Sequence, residues 1–189
     1  MNADLLVYQA KAFYNAYIAL DQLSRDDSDT LLLLLAPLVV NGAFSAELAL
    51  KAILAKNQIE YGKEHNLLIL FQMLPKSFQQ ELWAYLIEKA PEYAGSEKGL
   101  DELILLSNAF VDWRYAFEGK PVPAIESRFL AAFANAAVHT MFSYYNADLL
   151  PATKTESNNE IEQRFHENRE KCKEINLKMI QKKTKEHQL

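Results

Sequence analysis

The sequence is poor in most residue classes that announce a specific chemistry. It has one cysteine in 189 residues, Cys172. An internal disulfide and a cysteine-built zinc site are therefore both excluded. Five glycines and six prolines are too few to punctuate many short strands. There is no phosphate-cradling glycine loop, no Gly-x-Ser-x-Gly elbow, no His-Glu-x-x-His helix and no EF-hand pattern. His65, His139, His166 and His187 are scattered, none at metal-ligand spacing from another, so neither a metal nor a cofactor is expected. No internal repeat appears. The longest apolar run, residues 31–40, contains Pro37 and falls short of the ~20 residues a membrane helix needs. It reads as a buried helix, and no membrane partner is expected. The opening residues have neither a basic region nor a long apolar stretch, so no signal peptide is expected. With the lone thiol, this makes the cytoplasm the expected location.

What the sequence does have is apolar residues, half of the total, enough for a sizeable core. The net charge of −5 is unevenly spread. Residues 151–189 carry 9 basic and 7 acidic side chains, which leaves 11 basic and 18 acidic in the body. An acidic body repels nucleic-acid backbones at long range, a local basic pocket excepted.

Apolar periodicity predicts an all-α fold, an antiparallel bundle of about five helices with a polar C-terminal helical tail. Leu6, Ala10, Phe13, Tyr17 and Leu20 make the stripe of a first helix. A loop at SRDDSD follows, with Asp29 as N-cap of a second helix over about 30–57, kinked or restarted at Pro37. Gly42, Ala46 and Ala49 put small residues on one face, for close helix packing or for a ligand groove. A short helix over 66–74 comes next, then one over 75–89 with Pro75 in its first turn. Ser96 would cap a helix over 97–118, and Pro123 would begin the last, through 146, with Ile125, Phe129, Ala132, Ala136 and His139 on one stripe. Residues 1–150 read as the bundle. Residues 151–189 read as a polar linker and an amphipathic helix, whose seam of Ile161, Phe165, Asn168, Cys172, Ile175 and Met179 would dock on the body or pair in a dimer.

Few residues here suggest chemistry, and no catalytic residue can be assigned. The segment FVDWRYAFE crowds Asp112, Trp113, Arg114, Tyr115 and Glu118 into two turns. Arg114 pairs with Glu118 or Asp112 and staples helices, or it opens a phosphate pocket, since guanidinium matches phosphate oxygens in bidentate geometry. Glu47 and Lys51, four apart, read as a surface pair; turned inward, Glu47 would find Arg114 or His65. His65 stands at the entrance of the short helix, able to cap backbone or bridge to a carboxylate. His139, on the apolar stripe, reads as a satisfied core residue.

FSAELALKAIL followed by EHNLLILFQMLP resembles the HEPN superfamily of small helical proteins, in which an AELxLKxLL-type helix leads through a loop to an HxLxxLFxxLP-type segment. FVDWRYAFE resembles a WRYxYE-type helix of some members. The resemblance covers about residues 37–146. It implies a bundle of four or five helices, commonly a homodimer with its site at the two-fold interface. Many members are ribonucleases of toxin–antitoxin or phage-defence systems that use Arg-x4-6-His, the arginine steadying phosphate and the histidine assisting the 2′-hydroxyl. For His139 that arginine would stand at 132, 133 or 134, where the chain has Ala132, Phe133 and Ala134. The expected function is therefore a non-catalytic HEPN-like module binding a partner protein, a nucleotide or RNA. Its pocket would comprise Arg114, Glu118, Asp112, Tyr115, Glu47, His65 and His139. The alternatives are a metal-independent ribonuclease with a displaced site around Arg114, and a structural oligomerisation protein.

Overall fold

In the computed structural model, residues 3–25, 28–94, 97–118 and 121–145 are described. They form α1 (Ala3–Ser24), α2 (Ser28–Lys56), α3 (Leu67–Met73), α4 (Lys76–Lys89), α5 (Glu97–Leu106), α6 (Ala109–Arg114) and α7 (Ser127–Tyr145). Short 3-10 turns follow α4 and α6. No strand occurs among the described residues, so the all-α bundle is as expected. The linker and the heptad-like seam of residues 151–189 lie outside the described residues, as does the Ser96 cap.

α2 is the centre of the bundle and packs against α1, α7, α6 and α3. Its stretch from Leu33 to Lys56, with a mean hydropathy of 1.7, is long and apolar enough to cross a membrane by composition. Here that surface is spent on neighbours: Ala43, Ala46, Ala49, Leu50, Ile53 and Leu54 are all fully buried. Leu6, Ala10 and Tyr17 of the α1 stripe are buried against it. The small face is used for close packing. A Cβ on Gly42 would come within 3.0 Å of both Leu130 and Tyr17. On the far side Tyr145 Oη donates to the Ala52 carbonyl (2.9 Å), and Lys56 Nζ donates to the Tyr144 carbonyl (2.8 Å).

Several boundaries differ from expectation, among them the start of the last helix, which lies at Ser127 rather than at Pro123. α2 begins at Ser28, which puts Asp29 inside its first turn rather than at its cap. It also runs through Pro37 without restarting. The carbonyl that Pro37 cannot bond belongs to Leu33, which is 80% exposed, so water can satisfy it. Pro75 takes the N-cap position of α4 rather than its first turn. The helix expected over 97–118 is broken at Ser107–Asn108. There the Ser107 carbonyl accepts from Leu67 N–H (2.8 Å), and Asn66 Nδ2 donates to Asn108 Oδ1 (3.1 Å). This cross-bond takes the chain out of α5 and lets α6 turn onto α2. Asn66 is also the side-chain cap of α3, accepting from Ile69 N–H at 3.0 Å.

Candidate functional sites

Two polar clusters stand out. The first is built on α2. Glu47, 1% exposed, takes Lys51 Nζ at 2.7 Å and His65 Nδ1 at 2.9 Å, both on Oε1. The expected surface pair is thus buried, because α6 and the loop before α3 close over this face of α2. His65 is the inward partner foreseen for Glu47. A carboxylate only accepts, so the shared hydrogen sits on Nδ1 and Nε2 points away from Glu47. The His65 side chain remains 48% exposed. Glu64 Oε1 accepts from the backbone N–H groups of His65 (2.9 Å) and Asn66 (2.7 Å), which holds the loop that carries the imidazole.

α6 supplies the neighbouring wall. Phe110 stacks on Phe44 of α2 with centroids 4.3 Å apart, and the His65 ring lies 6.1 Å from it. The Arg114 guanidinium covers Phe110 at 4.9 Å and Tyr115 at 4.7 Å, and donates to Tyr115 Oη at 2.9 Å. Arg114 therefore stacks on rings. Both it and Tyr115 are exposed, as is Glu118, while Asp112 is half-buried. His65 and Arg114 thus both lie near the Phe110 ring.

His139 does not join them. It is exposed, and its ring stacks on Tyr85 of α4 at 3.8 Å and 12°. Phe129, Ala132 and Ala136 are buried as expected, but His139 belongs to a second, outward stripe with Arg128, Ala131 and Asn135. Spacings of 3, 4 and 4 fit either face; only the packing decides between them.

That outward stripe leads to the second cluster. Arg128 and Asn135 of α7 line a pocket of about 260 Å3 of mixed polar and apolar lining, with Tyr14, Tyr17 and Asp21 of α1, Arg25 just after it and Lys89 of α4. Its cations are held by carboxylates at or near the surface: Arg25 by Asp21 (2.6 Å), Arg128 by Glu92 (2.6 Å) and Lys89 by Glu88 (2.7 Å). Tyr14 and Tyr17 stack at 6.1 Å. Burial pushes both phenols above their ordinary pKa, with Tyr85 adding to the effect on Tyr14 and Asp21 to that on Tyr17. Both therefore remain donors at neutral pH. Among the sequence signals only the seven-residue interval from Arg128 to Asn135 marks this pocket, because it places both on one face of a helix. The remaining lining comes from α1 and α4, distant in sequence. A third concavity, of about 610 Å3, is mostly apolar, lined by Phe71, Trp83, Ala84, Ile87 and Leu100 with Lys76 at its edge.

Among the described residues no group of three or more His, Cys, Asp or Glu is placed to hold a metal ion. No curated protein and no solved structure matches the chain. Residues 38–128, however, match the family model of the HEPN domain. The matched span runs from the buried part of α2 to the first turn of α7 and includes Glu47, Lys51, His65 and Arg114. Residues 38–128 are thus similar to a HEPN domain, and α2 lies at the centre of that region.

Proposed function

We propose that this protein is a non-catalytic HEPN module that binds the phosphate of a nucleotide or RNA strand in the pocket between α1, α4 and α7. One observation carries the reading. Arg128 and Asn135 share a face of α7 and line one pocket, with six residues between them. That is the spacing of the Arg-x4-6-His motif implied by the family resemblance, with an amide where the motif has an imidazole. An amide hydrogen-bonds but does not take up a proton near neutral pH, so the arginine would hold phosphate with no base to activate a 2′-hydroxyl.

The surroundings suit such a ligand. Arg25, Lys89 and Arg128 each stand in a surface ion pair, and such pairs exchange for phosphate at little cost, since they are worth ~0–1 kcal/mol. The Tyr85–His139 stack lies one turn further along the same stripe of α7 and offers an aromatic face to a base. A homodimer and a toxin–antitoxin or phage-defence setting follow from the family resemblance alone, and a cytoplasmic location is proposed with them.

The test is a mobility shift with short single-stranded RNA, read together with cleavage. Wild type is expected to retard the RNA and leave it intact. Arg128→Ala is expected to weaken retardation at least tenfold without changing the circular dichroism spectrum. Cleavage by wild type, or retardation indifferent to Arg128, would overturn the reading.

A further inference from the structure

We infer that the concavity between α3, α4 and α5 binds a small apolar monocarboxylate, its carboxylate at Lys76 and its apolar body along Trp83 and Ile87. The argument begins with the face that α4 presents. Lys76, Gln80, Trp83, Ala84 and Ile87 all line this cavity, at spacings of 4, 3, 1 and 3. Such spacings share one side of a helix, here over roughly 16 Å from the lysine to the isoleucine. Phe71 of α3 and Leu100 of α5 supply the facing walls of the same cavity. Its volume of about 610 Å3 falls within the ~300–1,000 Å3 of small-molecule sites.

The apolar part is set in place by packing. The Trp83 ring lies 5.9 Å from that of Phe71, and a Cβ on Gly99 would stand 3.0 Å from the indole. The absence of a side chain at Gly99 lets α5 close on the edge of the ring and hold it. Even so, Phe71, Trp83 and Ile87 stay half-exposed, and Leu100 is exposed. A ligand with an apolar body removes this surface from water, which is favourable in proportion to the area covered.

The polar end is equally defined. Gln79 Nε2 donates to the carbonyls of Gln72 (3.0 Å) and Leu74 (2.8 Å), which leaves its oxygen to accept from Lys76 Nζ at 3.1 Å. An ammonium has three donors, and the amide takes one. Arg25, Lys51, Lys89, Lys98 and Arg128 each meet a carboxylate, whereas no ion pair among the described residues includes Lys76. One cation beside neutral amides matches one negative charge. A carboxylate is ionised at neutral pH and accepts through both oxygens. The acidic body, with 11 basic and 18 acidic side chains, repels polyanions, so this site takes a different ligand class from the α1/α4/α7 pocket.

Trp83 serves as reporter. The other tryptophan, on α6, is removed by Trp113→Phe, so that emission comes from the cavity alone. Octanoate titrated into this full-length variant at pH 7 is expected to shift the emission to shorter wavelength and to saturate. Octanol is expected to bind at least threefold more weakly. Lys76→Met, which keeps the stem and loses the charge, is expected to raise the octanoate dissociation constant at least threefold. Ala84→Phe fills the cavity from an exposed position, and is expected to raise it at least tenfold with unchanged circular dichroism and sedimentation mass. Arg128→Ala is expected to leave it unchanged. An unmoved emission, equal affinity for octanol, or indifference to Lys76→Met or Ala84→Phe would each overturn the proposal. A halved mass in Ala84→Phe would make the cavity an interface between two copies of the chain, and would overturn it too.

Discussion

The two polar clusters of this protein use the same residue types in opposite ways. In the Glu47–Lys51–His65 cluster the carboxylate is buried, and its partners are fixed by the fold. In the α1/α4/α7 pocket Arg25, Arg128 and Lys89 are 74%, 65% and 43% exposed, and each meets a carboxylate at the surface. Removing a charge from water is costly, so the first cluster is held in one arrangement and its partners are not interchangeable. The second is screened and replaceable, which is what a ligand-exchanging surface needs. Substitution, pH and ligand should therefore act differently on the two.

The largest effect is expected at Lys51. Lys51→Met leaves Glu47 buried beside the half-exposed His65 alone, and should destabilise the fold by ~3–5 kcal/mol, measured by urea unfolding. The double substitution Glu47→Met, Lys51→Met removes both charges and should be less destabilising than Lys51→Met alone. Equal losses would mean that packing, and not charge, dominates there. Next in size is Gly42→Val. Its Cβ alone would stand 3.0 Å from Leu130 and Tyr17, and its methyl groups would press on them further, for a loss of ~1–3 kcal/mol.

The comparison extends to pH. Burial, reinforced by Asp4, pushes Tyr145 up to about 12, and burial also raises Tyr14 and Tyr17. A raised phenol pKa means that the fold favours the protonated ring. Its contribution is therefore complete below pH ~10, the unfolded value, and is lost as pH rises through the folded one. Thermal midpoints should fall above pH ~10. Phenolate absorbance from these buried rings should appear together with unfolding rather than before it. Early ionisation in the folded state would show that α1 opens independently.

Much of the architecture is legible in local pattern. The α1 stripe, the small-residue face of α2 and the Asn66 entrance to α3 all follow from spacing and side-chain chemistry. The break between α5 and α6 is not, because it depends on a hydrogen bond from Leu67, forty residues away in sequence. The same limit applies to the site residues. Glu47 and Lys51 have the spacing of a surface pair, and only the overlying α6 and His65 loop make them interior. Periodicity puts His139 on the wrong face because α7 is buried over most of its circumference, so apolar neighbours do not discriminate. Arg128 and Asn135 share a helix face by their seven-residue interval, but that interval alone does not mark a pocket, since the pocket is completed by α1 and α4.

The smallest expected stability change carries the sharpest functional question. Asn135 is half-exposed on the outward stripe of α7, so Asn135→His should shift stability by no more than ~0.5 kcal/mol. It would place an imidazole seven residues after Arg128, completing Arg-x6-His in a pocket that already holds cations and protonated phenols. If this pocket corresponds to the family's phosphate site with its base removed, the variant should bind RNA as wild type does and begin to cleave it. The acquired cleavage should then disappear in Arg128→Ala, Asn135→His. Binding without cleavage would leave the pocket as a phosphate-holding surface whose geometry is not set for in-line attack, and would place the loss of catalysis in the surrounding α1 and α4 side chains rather than in the one amide.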